Sequence, residues 1–241
     1  FDRYLQGPQD RLMLQRDARG RVFWQELPEK KGKSGCCELR LTLDIRIQYF
    51  AEEALAEAVR AWEALSGTAV VMDPRSGEIL AMACVPAFDP NRYRSSDPTR
   101  WRNRAITDSF EPGSTIKVLT LAAALEEGVV EEETRFHCEN GRFRYGGCTL
   151  HDMKPHLELS VREILMVSSN IGTAKIADRL GGRNLWTYLN AFGFGRKTGV
   201  DLPGEVAGVL RNWGDWSRIA VATHAFGQGF SVTTLQLARA F

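Results

Sequence analysis

The chain has 241 residues, 44% hydrophobic and 25% charged. This is the composition of a globular protein long enough for a sizeable core, and it excludes a disordered or collagen-like chain. Basic and acidic residues nearly cancel, 31 against 30, for a net charge of +1, which gives no polyanion-binding signal and argues against a nucleic-acid partner.

Residues 1–36 are polar, with Asp17-Ala18-Arg19-Gly20-Arg21 reading as a hairpin turn and Lys30-Lys31-Gly32-Lys33-Ser34-Gly35 as a basic run. A short strand is expected over residues 38–43. Asp44 then caps a long helix whose apolar stripe, Ile47, Phe50, Ala51, Ala54, Leu55, Ala58, Val59 and Trp62, recurs at helical period. Residues 68–73 and 78–84 flank Pro74-Arg75-Ser76-Gly77 and predict an antiparallel hairpin. Arg100, Arg102 and Arg104 form a basic cluster that a solvated loop explains. No run of about 20 apolar residues marks a spanning helix, and no signal peptide is visible.

Ser114-Thr115-Ile116-Lys117 follows Glu111-Pro112-Gly113. Pro112 and Gly113 halt the preceding segment, and Ile116, Leu119, Ala122, Ala123 and Leu125 then recur at helical spacing until Gly128. Ser114 therefore opens a helix with Lys117 on the same face. A neutral lysine can take the proton of a serine hydroxyl, provided burial lowers its proton affinity. A helix cap followed by a solvated lysine produces the same string.

Cys138 and Cys148 bracket a short hairpin with Asn140-Gly141 and Gly146-Gly147 as turn residues. A disulfide closing it is one reading and two free thiols the other. His137, Cys138, Cys148 and His151 have zinc-ligand types but irregular spacing. The total of five cysteines is odd; adjacent Cys36 and Cys37 are poor partners for each other, and Cys84 reads as a small buried hydrophobe. Ser160-Val161-Arg162-Glu163 is a capping box opening a helix, and another helix spans residues 171–180. Ser168-Ser169-Asn170, at their junction, either caps the second helix or presents a hydroxyl and an amide into a cleft. Strands flanking a helical block predict an α+β fold, with helices packed on an antiparallel sheet.

Arg102-Asn103-Arg104-Ala105-Ile106-Thr107-Asp108-Ser109-Phe110-Glu111-Pro112-Gly113-Ser114-Thr115-Ile116-Lys117 resembles the active-site segment of class B penicillin-binding proteins. So do residues 41–48, 69–82, 198–205 and 227–238, in the same order, and the resemblance runs from about residue 38 to the end. Ser-Ser-Asn in the second motif and the Arg-Asn-Arg-Ala-Ile run are similar to the division (septal) type, features that spore-cortex members share.

The resemblance implies a penicillin-binding/β-lactamase-like transpeptidase fold, incomplete at its C-terminus. Residues 1–36 would be the tail of a non-catalytic pedestal domain with its linker, and residues 37–241 the transpeptidase domain. Ser114 would be the nucleophile, Lys117 its base, Ser168 a proton relay, and Asn170 a hydrogen-bonding partner of the acyl chain and of Lys117. The substrate would be peptidoglycan stem peptides ending in D-Ala-D-Ala, with β-lactams as covalent inhibitors and no metal or organic cofactor. A missing N-terminal membrane helix would hold the domain outside the cytoplasmic membrane, beside a septal glycosyltransferase and division proteins. A β-lactamase, a β-lactam sensor and a non-catalytic homologue are the alternatives.

Lys197-Thr198-Gly199 matches the third motif of this superfamily as a string, but the Pro and Gly residues after it oppose a central strand. It is expected to be a decoy, the true third motif lying beyond Phe241. Residues 1–241 alone are then expected to be inactive, with an unpaired sheet edge that favours aggregation.

Overall fold

The computed structural model describes Leu5, Arg19 and residues 13–16, 22–26 and 38–241. The basic run at 30–35 and Cys36 and Cys37 lie outside the described residues. Contacts divide the chain into two units, Phe1–Thr42 and Leu43–Phe241.

In the first unit β1 (Met13–Arg16) pairs antiparallel with β2 (Val22–Glu26), a hairpin about the turn that the sequence predicts. Residues 38–43 do not form the expected strand; they join none of the ladders among the described residues.

In the second unit α1 (Ile45–Ala61) starts where Asp44 predicts it. The Asp44 carboxylate accepts from the main-chain N–H of Arg46 (2.8 Å) and Ile47 (3.2 Å). Those two bonds hold its pKa below the ordinary carboxylate value. The helix packs on the hairpin of β3 (Gly67–Met72) and β4 (Ile79–Val85), whose turn is tied by Asp73 accepting from Arg75 N and Ser76 N. Only Ile47, Ala51, Leu55 and Val59 of the predicted stripe are half-buried; Phe50 and Trp62 are 69% and 84% exposed. Two strands are too narrow to cover the full width of the stripe. The Gln48 side chain stands in for a further strand, its amide bonding both N–H and C=O of Met82.

The helical block follows. It runs through α2 (Arg104–Thr107), β5 (Ser109–Phe110), α3 (Lys117–Glu126), α4 (Val161–Val167), α5 (Asn170–Leu180), α6 (Gly182–Ala191) and α7 (Arg218–Ala225), then β10 (Val232–Thr233) and α8 (Thr234–Ala240). Between α3 and α4 lies a double hairpin, β6 (Arg135–His137) with β9 (Glu158–Ser160) outside and β7 (Arg142–Tyr145) with β8 (Cys148–His151) inside. Every ladder among the described residues is antiparallel and two-stranded. Strands and helices thus mix as the α+β reading expects.

Two cores form, and α3 serves both. Leu121 and Ala124 pack with Phe136, Leu159, Ile164 and Ile171, while Leu119 and Ala123 pack with Leu185, Leu189, Phe194 and Phe230. Burial of each Leu or Ile contributes about 2 kcal/mol. Gripped on two faces, α3 is a rigid mount for whatever stands at its N-terminus.

Cys138 and Cys148 are free thiols, so the disulfide reading is not met. Cys138 is buried and directed at Phe136 O and Ser169 Oγ, whereas exposed Cys148 pairs across the ladder with Tyr145. Cys84 is half-buried rather than enclosed, its thiol donating to Asn103 Oδ1 at 3.5 Å.

Candidate active site

Pro112 is buried, and Gly113 takes φ +61° to begin a single 3-10 turn, Gly113–Ile116, that runs into α3. The Thr115 hydroxyl donates to Pro112 O (2.8 Å) and closes the turn. Ser114 and Lys117 therefore belong to a 3-10 turn and the α-helix it feeds, rather than to one α-turn; three-residue spacing still puts them on one side. The pair is asymmetric. Ser114 is exposed, while Lys117 is only 1% exposed.

The Lys117 amine donates to Ser168 O (2.5 Å), Ser168 Oγ (3.0 Å) and Asn170 Oδ1 (2.7 Å). Three predicted site residues are thus brought together by one nitrogen. Ser114 is not among these three partners; the amine's hydrogen bonds go to the second motif. Burial lowers the Lys117 pKa to about 8, opposed by the negative charge of Asp152.

Ser168-Ser169-Asn170 divides two tasks that the sequence leaves as alternatives. Ser169 is the cap of α5, its hydroxyl accepting from Gly172 N (2.9 Å). Ser168 and Asn170 face Lys117. The capping box at Ser160 and Glu163 starts α4 as predicted, and Ser168 ends it in the left-handed region, φ 56° and ψ 44°. A side chain in that region costs about 1–3 kcal/mol; here the turn delivers the Ser168 carbonyl to the amine.

Two contacts of the site escape sequence reasoning, one of them made from within the resembling segment 227–238. Asp152, after β8, accepts from Ser169 Oγ, Asn170 N and Ile171 N. The Gly227-Gln228-Gly229 loop grips the segment that precedes Ser114: Gly113 N donates to Gly227 O (2.9 Å) and Gly229 N to Glu111 Oε1 (2.8 Å). A Cβ on Gly227 would lie 2.0 Å from Gly113 O, and its φ is +83°. Gly227→Ala should therefore destabilise the fold by about 3 kcal/mol or more. Gly77→Ala, at φ +75° with nothing within 4 Å of its Cβ, should cost only about 1 kcal/mol. Equal midpoints for the two variants in urea unfolding would refute the backbone contact.

Lys197-Thr198-Gly199 lies in a loop, as the decoy reading expects. Buried Glu205 accepts from Thr198 N, Thr198 Oγ1 and Gly199 N. Lys197 is exposed, and Thr198 and Gly199 border a groove shared with Met72, Ile79, Leu235 and Arg239.

Residues 67–241 match the family described as "Penicillin binding protein transpeptidase domain". The chain is 39% identical over 238 residues to the protein named "Probable peptidoglycan D,D-transpeptidase PenA" of Neisseria gonorrhoeae, covering 98% of this chain and 41% of that one. It is 36% identical over 241 residues to "Peptidoglycan D,D-transpeptidase FtsI" of Escherichia coli K12, covering 100% and 40%. The chain thus spans about two fifths of the length of these curated relatives. In structure it is similar to the transpeptidase domain of Burkholderia pseudomallei penicillin-binding protein 3, with a TM-score of 0.75, 36% identity, and 83% of this chain against 56% of that one. A buried lysine joining Ser168 and Asn170 beside an exposed serine thus stands in a chain that belongs to the penicillin-binding protein transpeptidase family.

Proposed function

We propose that this chain carries the Ser-Lys and Ser-Asn elements of a peptidoglycan D,D-transpeptidase. The observation that carries the reading is the Lys117 amine, buried, lowered in proton affinity and held between Ser168 and Asn170 on the helix that Ser114 precedes. Lys117, unprotonated, takes the Ser114 hydroxyl proton as Oγ bonds to the penultimate carbonyl carbon of a stem peptide ending in D-Ala-D-Ala. The C–N bond then breaks, and Ser168 passes a proton to the departing D-Ala nitrogen. The amine of a neighbouring stem attacks the ester, forms the cross-link and frees Ser114. Asn170 orients the acyl chain's amide, and the Ser114 N–H is one donor to the tetrahedral oxyanion, a contribution commonly worth about 3 kcal/mol. A β-lactam presents the same carbonyl and stops at the ester.

The reading extends to residues 1–36 as pedestal tail and linker, residues 37–241 as transpeptidase domain, an upstream membrane helix, and placement outside the cytoplasmic membrane. Septal glycosyltransferase and division proteins are the partners it implies; Ser-Ser-Asn and Arg-Asn-Arg-Ala-Ile support the septal assignment. Incubation of the full-length protein with labelled penicillin tests the core of it. A stable adduct on the Ser114 peptide, absent in Ser114→Ala, is expected. Rapid release of label would mean a β-lactamase, and no labelling a non-catalytic homologue.

A further inference from the structure

Asp152 sits in the segment between β8 and β9, and both its oxygens are engaged. Oδ1 accepts from Asn170 N (2.6 Å) and Ile171 N (3.0 Å), and Oδ2 from Ser169 Oγ (2.6 Å). The adjoining His151 carbonyl accepts from Asn170 Nδ2 (2.9 Å). Two consecutive residues of the hairpin therefore hold Asn170 by main chain and side chain, which turns its Oδ1 to the Lys117 amine. The carboxylate also completes the first turn of α5, where N–H groups lack helical partners.

The hairpin is itself fastened to α5. Lys175 Nζ bonds His137 O (2.7 Å) and Glu139 Oε1 (2.6 Å) and lies over the Phe143 ring. The Tyr145 hydroxyl donates to Asp178 Oδ1 (2.5 Å). Among the described residues, Asp152 is the charged group whose field acts on Lys117. On the far side of Ser169 stands the Cys138 thiol, on which Asp152 itself, Lys175 and Glu139 act.

We propose that Asp152 is a positioning residue: its carboxylate fixes Ser169 and the start of α5, so that Asn170 Oδ1 is held on the Lys117 amine, and it brings a negative charge to that site. The catalytic consequence rests on the reading of Lys117 as the base; the electrostatic one does not. Asp152→Asn removes the charge at nearly constant shape, and Asp152→Glu keeps the charge but misplaces it. Ser169→Ala removes the hydroxyl's bond to Asp152, together with the cap it gives Gly172 N and its contact with Cys138 Sγ, and leaves the charge in place.

The test is the pH profile of penicillin acylation in the full-length protein, paired with NMR titration of the Lys117 side chain. In Asp152→Asn the plateau rate should fall about 10- to 100-fold. The acid limb of the profile and the Lys117 titration should both move to lower pH, since an attractive charge is gone. Asp152→Glu should recover the wild-type limb. Ser169→Ala should lower the plateau with the limb in place, and it keeps the test alive if Asp152→Asn fails to fold. A Lys117 titration unmoved in Asp152→Asn overturns the proposal, as does an unchanged plateau in Ser169→Ala. A wild-type protein that penicillin never acylates would sink the transpeptidase reading, while the NMR titration would still decide the role of Asp152.

Discussion

Replacing Lys117 by alanine in the full-length protein should slow penicillin acylation of Ser114 by about 1,000-fold, the loss of a positioned general base. A lysine of ordinary pKa 10.5 is unprotonated in about 0.03% of molecules at pH 7, whereas one at about 8 is unprotonated in about a tenth of them. Burial thus raises the fraction of neutral amine roughly 300-fold before geometry contributes anything. Alanine removes both the base and the bonds to Ser168 and Asn170. The rate at which a fluorescent penicillin labels the protein checks it, with a thermal unfolding curve confirming the variant is folded. Labelling within tenfold of wild type would remove Lys117 from the base's role.

Lys117→Met should show what that arrangement costs the fold. In the folded chain Lys117 releases its proton near pH 8, and in the unfolded chain near 10.5. Between those values the unfolded state binds more protons, so this group makes stability rise with pH. Below pH 8 its penalty is complete, on the order of 3 kcal/mol. Methionine fills a similar volume and does not titrate. From pH 7 to pH 10 the stability of wild type relative to Lys117→Met should improve by about 2–3 kcal/mol in urea unfolding. Tyr145 also titrates at high pH, its phenol pushed up by burial, but it is common to both proteins and cancels. A constant gap across this range would mean that the lysine is not desolvated. Burial of Leu119 and Leu121 on the same helix offsets a penalty of this size.

What could be read from the sequence was local. Asp44, the Ser160–Glu163 box and the Pro112-Gly113 stop act on the few residues next to them, and the elements they predict stand where expected. Ser114, Lys117, Ser168 and Asn170 were found by residue type and spacing together with the family resemblance. Predictions that needed a partner failed or stayed hidden. A strand at 38–43 requires a pairing partner, and among the described residues these positions join no ladder. Cys138 and Cys148 flank a hairpin, yet Cys138 precedes Asn140, which is left-handed at φ 49°, and its thiol turns inward. Asp152 binds residues 17 to 19 positions away, a distance that no helical or strand period marks. Lys197-Thr198-Gly199 shows the converse. A string can match a motif while its hydroxyl and amides are already spent on Glu205.

The grip of the Gly227-Gln228-Gly229 loop on Glu111 and Gly113 has a temporal side. Its bonds join residues 118 positions apart in the case of Glu111 and Gly229, and Thr120 reaches Ala225 across 105. A ribosome adds roughly 5–20 residues per second, so the serine's segment emerges on the order of ten seconds before the strap that secures it. During that interval α3 has neither its later core partners nor its backbone tether. Ser114 is thus among the earlier parts of this unit to be synthesised and among the last to be locked, which leaves an unfinished chain with the serine in hand and no settled surroundings.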